Sequence, residues 1–90
     1  MDDTTWVAPD MPGELAEHMT SERRTLWRAF LATSKADALA EQRHQAACQA
    51  HAPASRVMAL ETRRQAAWRQ LEAATRALWR DVPRASREGA

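Results

Sequence analysis

A chain of 90 residues is one small domain with a thin core, a size at which a partner or ligand often completes the fold. With two glycines, no tyrosine, one phenylalanine and abundant Ala, Leu, Arg, Glu and Gln, it holds little strand-forming material and much that favours helix. A net charge of +1 lacks the clear basic excess of a nucleic-acid-binding domain, a single cysteine excludes an internal disulfide framework, and no apolar run approaches the ~18–20 residues that span a bilayer.

Residues 1–12 read as an N-terminal arm. Pro9 and Pro12 keep it extended, and Trp6, Val7 and Met11 are apolar handles able to fold back on the body. The start "MDDTTW" has neither the basic nor the apolar part of a secretory signal. A soluble, reducing, cytoplasmic setting is expected. Acidic residues dominate the first 22 positions, where no Lys or Arg occurs; all the basic side chains lie downstream.

Residues 13–82 are expected to form a helical hairpin, with helices over about 14–51 and 55–82 and a turn at 52–54. Asp10 is a candidate N-cap with Pro12 in the first turn, and Thr20-Ser21-Glu22 is a second start signal that can restart the helix. Pro53 stops the first helix, since proline disfavours helical geometry in the residue before it. Ser55 is a candidate cap for the second helix, Pro83 ends it, and residues 83–90 form a polar tail.

Apolar spacing supports two amphipathic helices. Leu15, Met19, Leu26, Trp27, Phe30, Leu31 and Ala38 share one stripe at the 3.6-residue period. Val57, Leu60, Trp68, Leu71, Leu78, Trp79 and Val82 share another, interrupted by Arg64. Antiparallel folding about the turn sets residue i near residue ~105 − i. The Trp-Arg motifs at Trp27-Arg28 and Trp79-Arg80 then meet at the open end, with Trp68 and Leu71 just above, and the tryptophans are expected in the core. Two stripes leave apolar flanks uncovered. The expected fold is therefore all-α, a long antiparallel hairpin completed as a four-helix bundle by homodimerisation.

Two constellations could carry chemistry. Arg69, Arg76, Arg80 and Arg87 lie on one side of the second helix beside Trp79, a spacing that could track phosphates. The same residues can instead form a solvated face paired with Glu72, Asp81 and the acidic start. With no helix-turn-helix or finger pattern, nucleic acid is the weaker reading. The second constellation is Asp37, Glu41, His44, Cys48 and His51, at steps of four, three, four and three along one helical face. His44, Cys48 and His51 offer nitrogen and sulfur ligands to zinc. Glu41-x-x-His44, with Glu61 opposite His44, has the form used in di-metal carboxylate bundles, so that zinc or iron are the candidate ions. Glu61–His44 and Glu41–Arg64 can equally be cross-helix polar pairs, the reading preferred here. No Gly-rich loop or nucleophile elbow is present, and no catalytic residue is assigned.

The stretch Leu26-Trp27-Arg28-Ala29-Phe30 resembles the signature of LYR-motif proteins, small basic helical adaptors of mitochondrial respiratory-complex and iron–sulfur assembly, with Trp27 in place of the tyrosine. The resemblance implies a helical partner surface and acyl-carrier docking through Arg28 and Phe30, and a mitochondrial setting. From the residues themselves, the expected function is that of a non-enzymatic protein–protein interaction module or small adaptor. Its partner-binding residues would be Trp27, Arg28, Phe30, Arg69, Arg76, Trp79 and Arg80, and its first partner a second copy of itself. A metal-binding bundle, a LYR-like assembly adaptor and a nucleic-acid-binding helical dimer stand as alternatives.

Overall fold

The computed structural model describes residues 6–82, and among them all regular structure is helical. Three helices follow in chain order: α1 (Gly13–Glu17), α2 (Ser21–Gln49) and α3 (Ala54–Leu78). The long first helix expected over about 14–51 is thus divided. His18 ends α1 as its C-cap, and Thr20, in extended geometry, opens α2 by accepting the Arg23 amide on its hydroxyl at 3.0 Å. Capping of an otherwise orphaned amide makes the restart at Thr20 more favourable than an unbroken helix.

Prolines, not the expected side chains, open the other two helices. The N-cap of α1 is Pro12, whose carbonyl accepts from the Ala16 amide at 3.1 Å; no side chain caps this end, and Asp10 stands exposed outside it. The N-cap of α3 is Pro53, whose carbonyl accepts from the Arg56 and Val57 amides at 3.0 and 3.1 Å. Ser55 therefore falls inside the first turn rather than at the cap. In both places the fixed φ of proline presets the entry, so no hydroxyl or carboxylate is required there.

Between α2 and α3 the chain reverses in a Schellman turn. The Ala52 amide donates to the Ala47 carbonyl at 3.0 Å and the His51 amide to that of Cys48 at 3.1 Å, while His51 takes the left-handed φ of 56°. The two long helices then run antiparallel. His44 sits opposite Glu61, their side chains 3.2 Å apart, the pairing that the ~105 − i register requires. Near the turn the contact is small and close, with Ala47 and Leu60 buried.

The main core lies at the other, open end. Leu15 and Leu78 are fully enclosed there with Val82, and Met11, Leu26, Trp27, Phe30 and Trp79 pack around them. The short α1 delivers Leu15 to this end like a stopper, against Leu78 and Val82. The Trp27 and Phe30 rings stack with centroids 5.3 Å apart, and Trp79 closes the cluster from α3. Val82 reaches it because Asp81 turns the chain back with a φ of 64°, the Val82 amide donating to the Trp79 carbonyl at 3.1 Å. Of the apolar handles on the arm, Met11 joins this core and Trp6 is half-buried, whereas Val7 projects into solvent. The expectation of a core tryptophan fails at Trp68, which is 51% exposed. It sits on the flank of α3, beyond the reach of the α1 stopper. Residues 1–5 and the tail 83–90, with Asp2, Asp3, Pro83 and Arg87, lie outside the described residues.

One side chain ties this end together. The Arg23 guanidinium donates to the His18 carbonyl at 2.7 Å, to the Leu78 carbonyl at 3.3 Å and to the Arg80 carbonyl at 2.8 Å. It thereby satisfies carbonyls at the ends of α1 and α3 that their own helices leave unpaired. Charge-assisted bonds of this kind are the stronger class. Arg23→Ala should lower unfolding free energy by about 2 kcal/mol in urea titration followed by circular dichroism. Arg24→Ala, which removes the exposed neighbour, should leave it within about 0.5 kcal/mol of the parent.

Candidate functional site

The polar stripe on α2 does not remain on one face. Asp37, Glu41, His44 and Cys48 lie within the helix, but α2 ends at Gln49 and His51, in its left-handed turn, leaves the row. The His44 ring approaches two groups through the same Nε2, the Glu61 carboxylate at 3.2 Å and the Cys48 thiol at 3.8 Å. Glu61 is already held by its own helix. Arg64 donates to it from Nε at 3.1 Å and from Nη2 at 3.0 Å, and Gln65 donates at 3.0 Å. Arg64 thus pairs along α3 with Glu61 rather than across to Glu41, because a residue three positions away on the same helix is within direct reach.

The charges in this layer respond accordingly. The hydrogen bonds from Arg64, opposed by partial desolvation and aided by Gln65 and His44, hold the Glu61 carboxyl below its ordinary pKa. The Arg64 guanidinium is in turn pushed upward, first by its hydrogen bonds to Glu61. Desolvation and the neighbouring Glu41 raise Asp37, against the attraction of Arg64. Among the described residues, no group of three or more His, Cys, Asp or Glu side chains comes together in a way that could hold a metal ion. His51 has left the face, and the Glu61 oxygens are shared among Arg64, Gln65 and His44.

The arginine stripe is also interrupted. Arg69 and Arg76 project from α3 into solvent, while Arg80 follows its end. None of the three pairs with Glu72, Asp81 or the described acidic residues of the chain's start. What Arg80 contributes to the fold is its carbonyl, taken by Arg23. Arg28, the cation of the Trp-Arg-x-Phe stretch, is exposed, whereas Phe30 is turned inward onto Trp27.

A different feature stands out along the α2–α3 seam, midway between the Arg23 lock and the His44–Glu61 layer. Here an open groove of about 360 Å³ is lined by Phe30, Leu71 and the half-exposed Trp68, by the small side chains of Ser34 and Thr75, and by Glu72 and Arg76. Ser34 is the cause of the space, since a serine opposite Leu71 fills too little of the gap that a larger apolar residue would close. The Thr75 hydroxyl is satisfied within its helix, donating to the Leu71 carbonyl at 2.7 Å. The groove therefore offers mainly carbon to a visitor. A second cleft of about 200 Å³, lined by Glu22, Arg23, Leu26 and Arg80, is polar and already spanned by the Arg23 bonds.

Sequence reasoning missed both Arg23 and the groove. A cation in the first turn of α2 opposes the helix dipole, a sign that its side chain is used elsewhere; the groove left no mark beyond a serine among apolar neighbours. Among the described residues no helix is long and apolar enough to cross a membrane. Comparison with protein-family models, with curated proteins and with solved structures finds no match to this chain.

Three outcomes check this layer. Because the folded pKa of Glu61 is lowered, its contribution to stability is present above the unfolded value of 4.5 and is lost as pH falls through the folded one. The stability difference between the parent and Glu61→Gln should thus be constant near neutrality and shrink in denaturant titrations below that pH. Asp37, with its raised pKa, contributes in the opposite sense, so Asp37→Asn should stabilise the protein at pH 7. For metal, neither EDTA nor equimolar zinc or iron(II) should move the melting temperature, since a ligand stabilises only where the native state binds it selectively.

Proposed function

We propose that this chain is a non-enzymatic helical interaction module, and that it works by docking a protein helix on the α2–α3 groove, most simply one from a second copy of itself. The observation that carries this reading is the groove with Trp68 at its side, half-exposed and outside the core. A tryptophan in that position leaves a large ring surface in water, and burial against a partner recovers it at roughly 25 cal/mol per Å² of apolar area. Trp is also the residue type most enriched among those that dominate binding energy.

The core favours the same reading. Buried apolar side chains among the described residues are confined to Leu15, Leu78 and Val82 at one end and Ala47 and Leu60 near the other. Between them runs the open groove. A helix laid along the groove would complete a bundle of the kind in which antiparallel pairs ordinarily bury their stripes.

Sedimentation equilibrium between 1 and 100 µM should find the parent protein self-associated. Trp68→Ala should weaken association by about tenfold or more with helix content unchanged. A parent that remains monomeric throughout would overturn self-association. A Trp68→Ala protein that loses stability as a monomer while its association stays intact would return Trp68 to a structural role.

A further inference from the structure

The edge of the groove carries more than apolar surface. Glu72 and Arg76 both line it, both project into solvent, and they stand four residues apart on α3. Neither forms an ion pair with a described residue, not even with the other, although i and i+4 positions are neighbours on a helix. An acid and a base so placed beside an apolar strip make a pattern that is complementary to itself when turned end for end.

We infer that two copies of this chain pair through this strip with their α3 helices antiparallel, about a twofold axis passing beside α3 between Glu72 and Arg76. Each Glu72 then faces the partner's Arg76, and the two Trp68 rings close the ends of a shared apolar seam. This rests on the proposed self-association and adds to it the orientation and the residues that set it. The twofold axis follows from the identity of the two surfaces, since an isologous contact must meet its own patch. Antiparallel orientation follows from charge. In a parallel, in-register pair Glu72 would meet Glu72 and Arg76 would meet Arg76, two repulsions beside an apolar strip. The antiparallel arrangement converts both into attractions. Trp68 lies one helical turn from Glu72 on the side away from Arg76, so the axis places the two rings at opposite ends of the strip, clear of each other.

Charge exchange between separately made chains tests this. In native mass spectrometry and sedimentation at physiological salt, Glu72→Arg alone and Arg76→Glu alone should each dimerise about tenfold more weakly than the parent, because each replaces two attractions by two repulsions. An equimolar mixture should recover parental affinity as a heterodimer. Within that heterodimer every Arg faces a Glu across the interface, while neither chain holds an opposite-charge pair of its own. Glu17→Arg, which makes the same change of net charge as Glu72→Arg but on exposed α1, should leave dimerisation at the parental level, and circular dichroism should show all variants equally helical. If the parent dimerises and the single variants match it, or the mixture shows no preference for the heterodimer, the inferred pairing is wrong while self-association stands. A monomeric parent removes both.

Discussion

The open end of a two-helix hairpin lies farthest from the turn that joins the helices, and that end is where a hairpin of this size is weakest. Here it is fastened by one guanidinium. Arg23 takes carbonyls from His18, Leu78 and Arg80, joining the first turn of α2, the end of α1 and the end of α3. The bonds and the apolar cluster lie side by side. Arg23 ties the end of α1, which carries Leu15, to the end of α3, which carries Leu78; its bond to the Leu78 carbonyl is partly buried beside the cluster, while those to His18 and Arg80 face solvent.

The turn end is fixed differently. His51 and Ala52 return their amides to α2 in a closed Schellman turn, and His44 bridges to Glu61 one layer inward. Arg64 and Gln65 orient that carboxylate from its own helix. The polar layer thus sets register at one end and the Arg23 network sets it at the other. Between them Ser34 leaves room beside Leu71, and there the groove opens.

Much of this architecture was legible in the residues. The two stripes and the proline at the turn led to the antiparallel register, and His44 does meet Glu61. The meeting of Leu26, Trp27 and Phe30 with Leu78 and Trp79 followed from the same register. Caps were less legible, because Asp10 and Ser55 have the right chemistry for an N-cap but Pro12 and Pro53 reach the position first. The ligand-like spacing of Glu41, His44, Cys48 and His51 assumed a helix that continues; a single left-handed residue at His51 ends it. Trp68 shares a stripe with Leu60 and Leu78, but periodicity specifies a direction around the helix, not whether anything waits there to cover the ring. Arg23 escaped notice because its partners are backbone carbonyls, which carry no residue identity. Two of the three lie more than fifty residues away.

Fastening at both ends also restricts how such a chain could lengthen. One residue inserted into α3 between Glu61 and Leu78 turns everything beyond it by about 100° and carries it forward by about 1.5 Å, so the carbonyls offered to Arg23 and the glutamate offered to His44 can no longer both be in phase. A matching residue in α2 does not cure this, since it rotates Arg23 away as well. Phase returns only after about two whole turns, roughly seven residues, added to each helix together. Growth of this molecule is therefore permitted at the turn, or in paired blocks along both arms, and a single-residue change in the length of either arm breaks one of its two clasps.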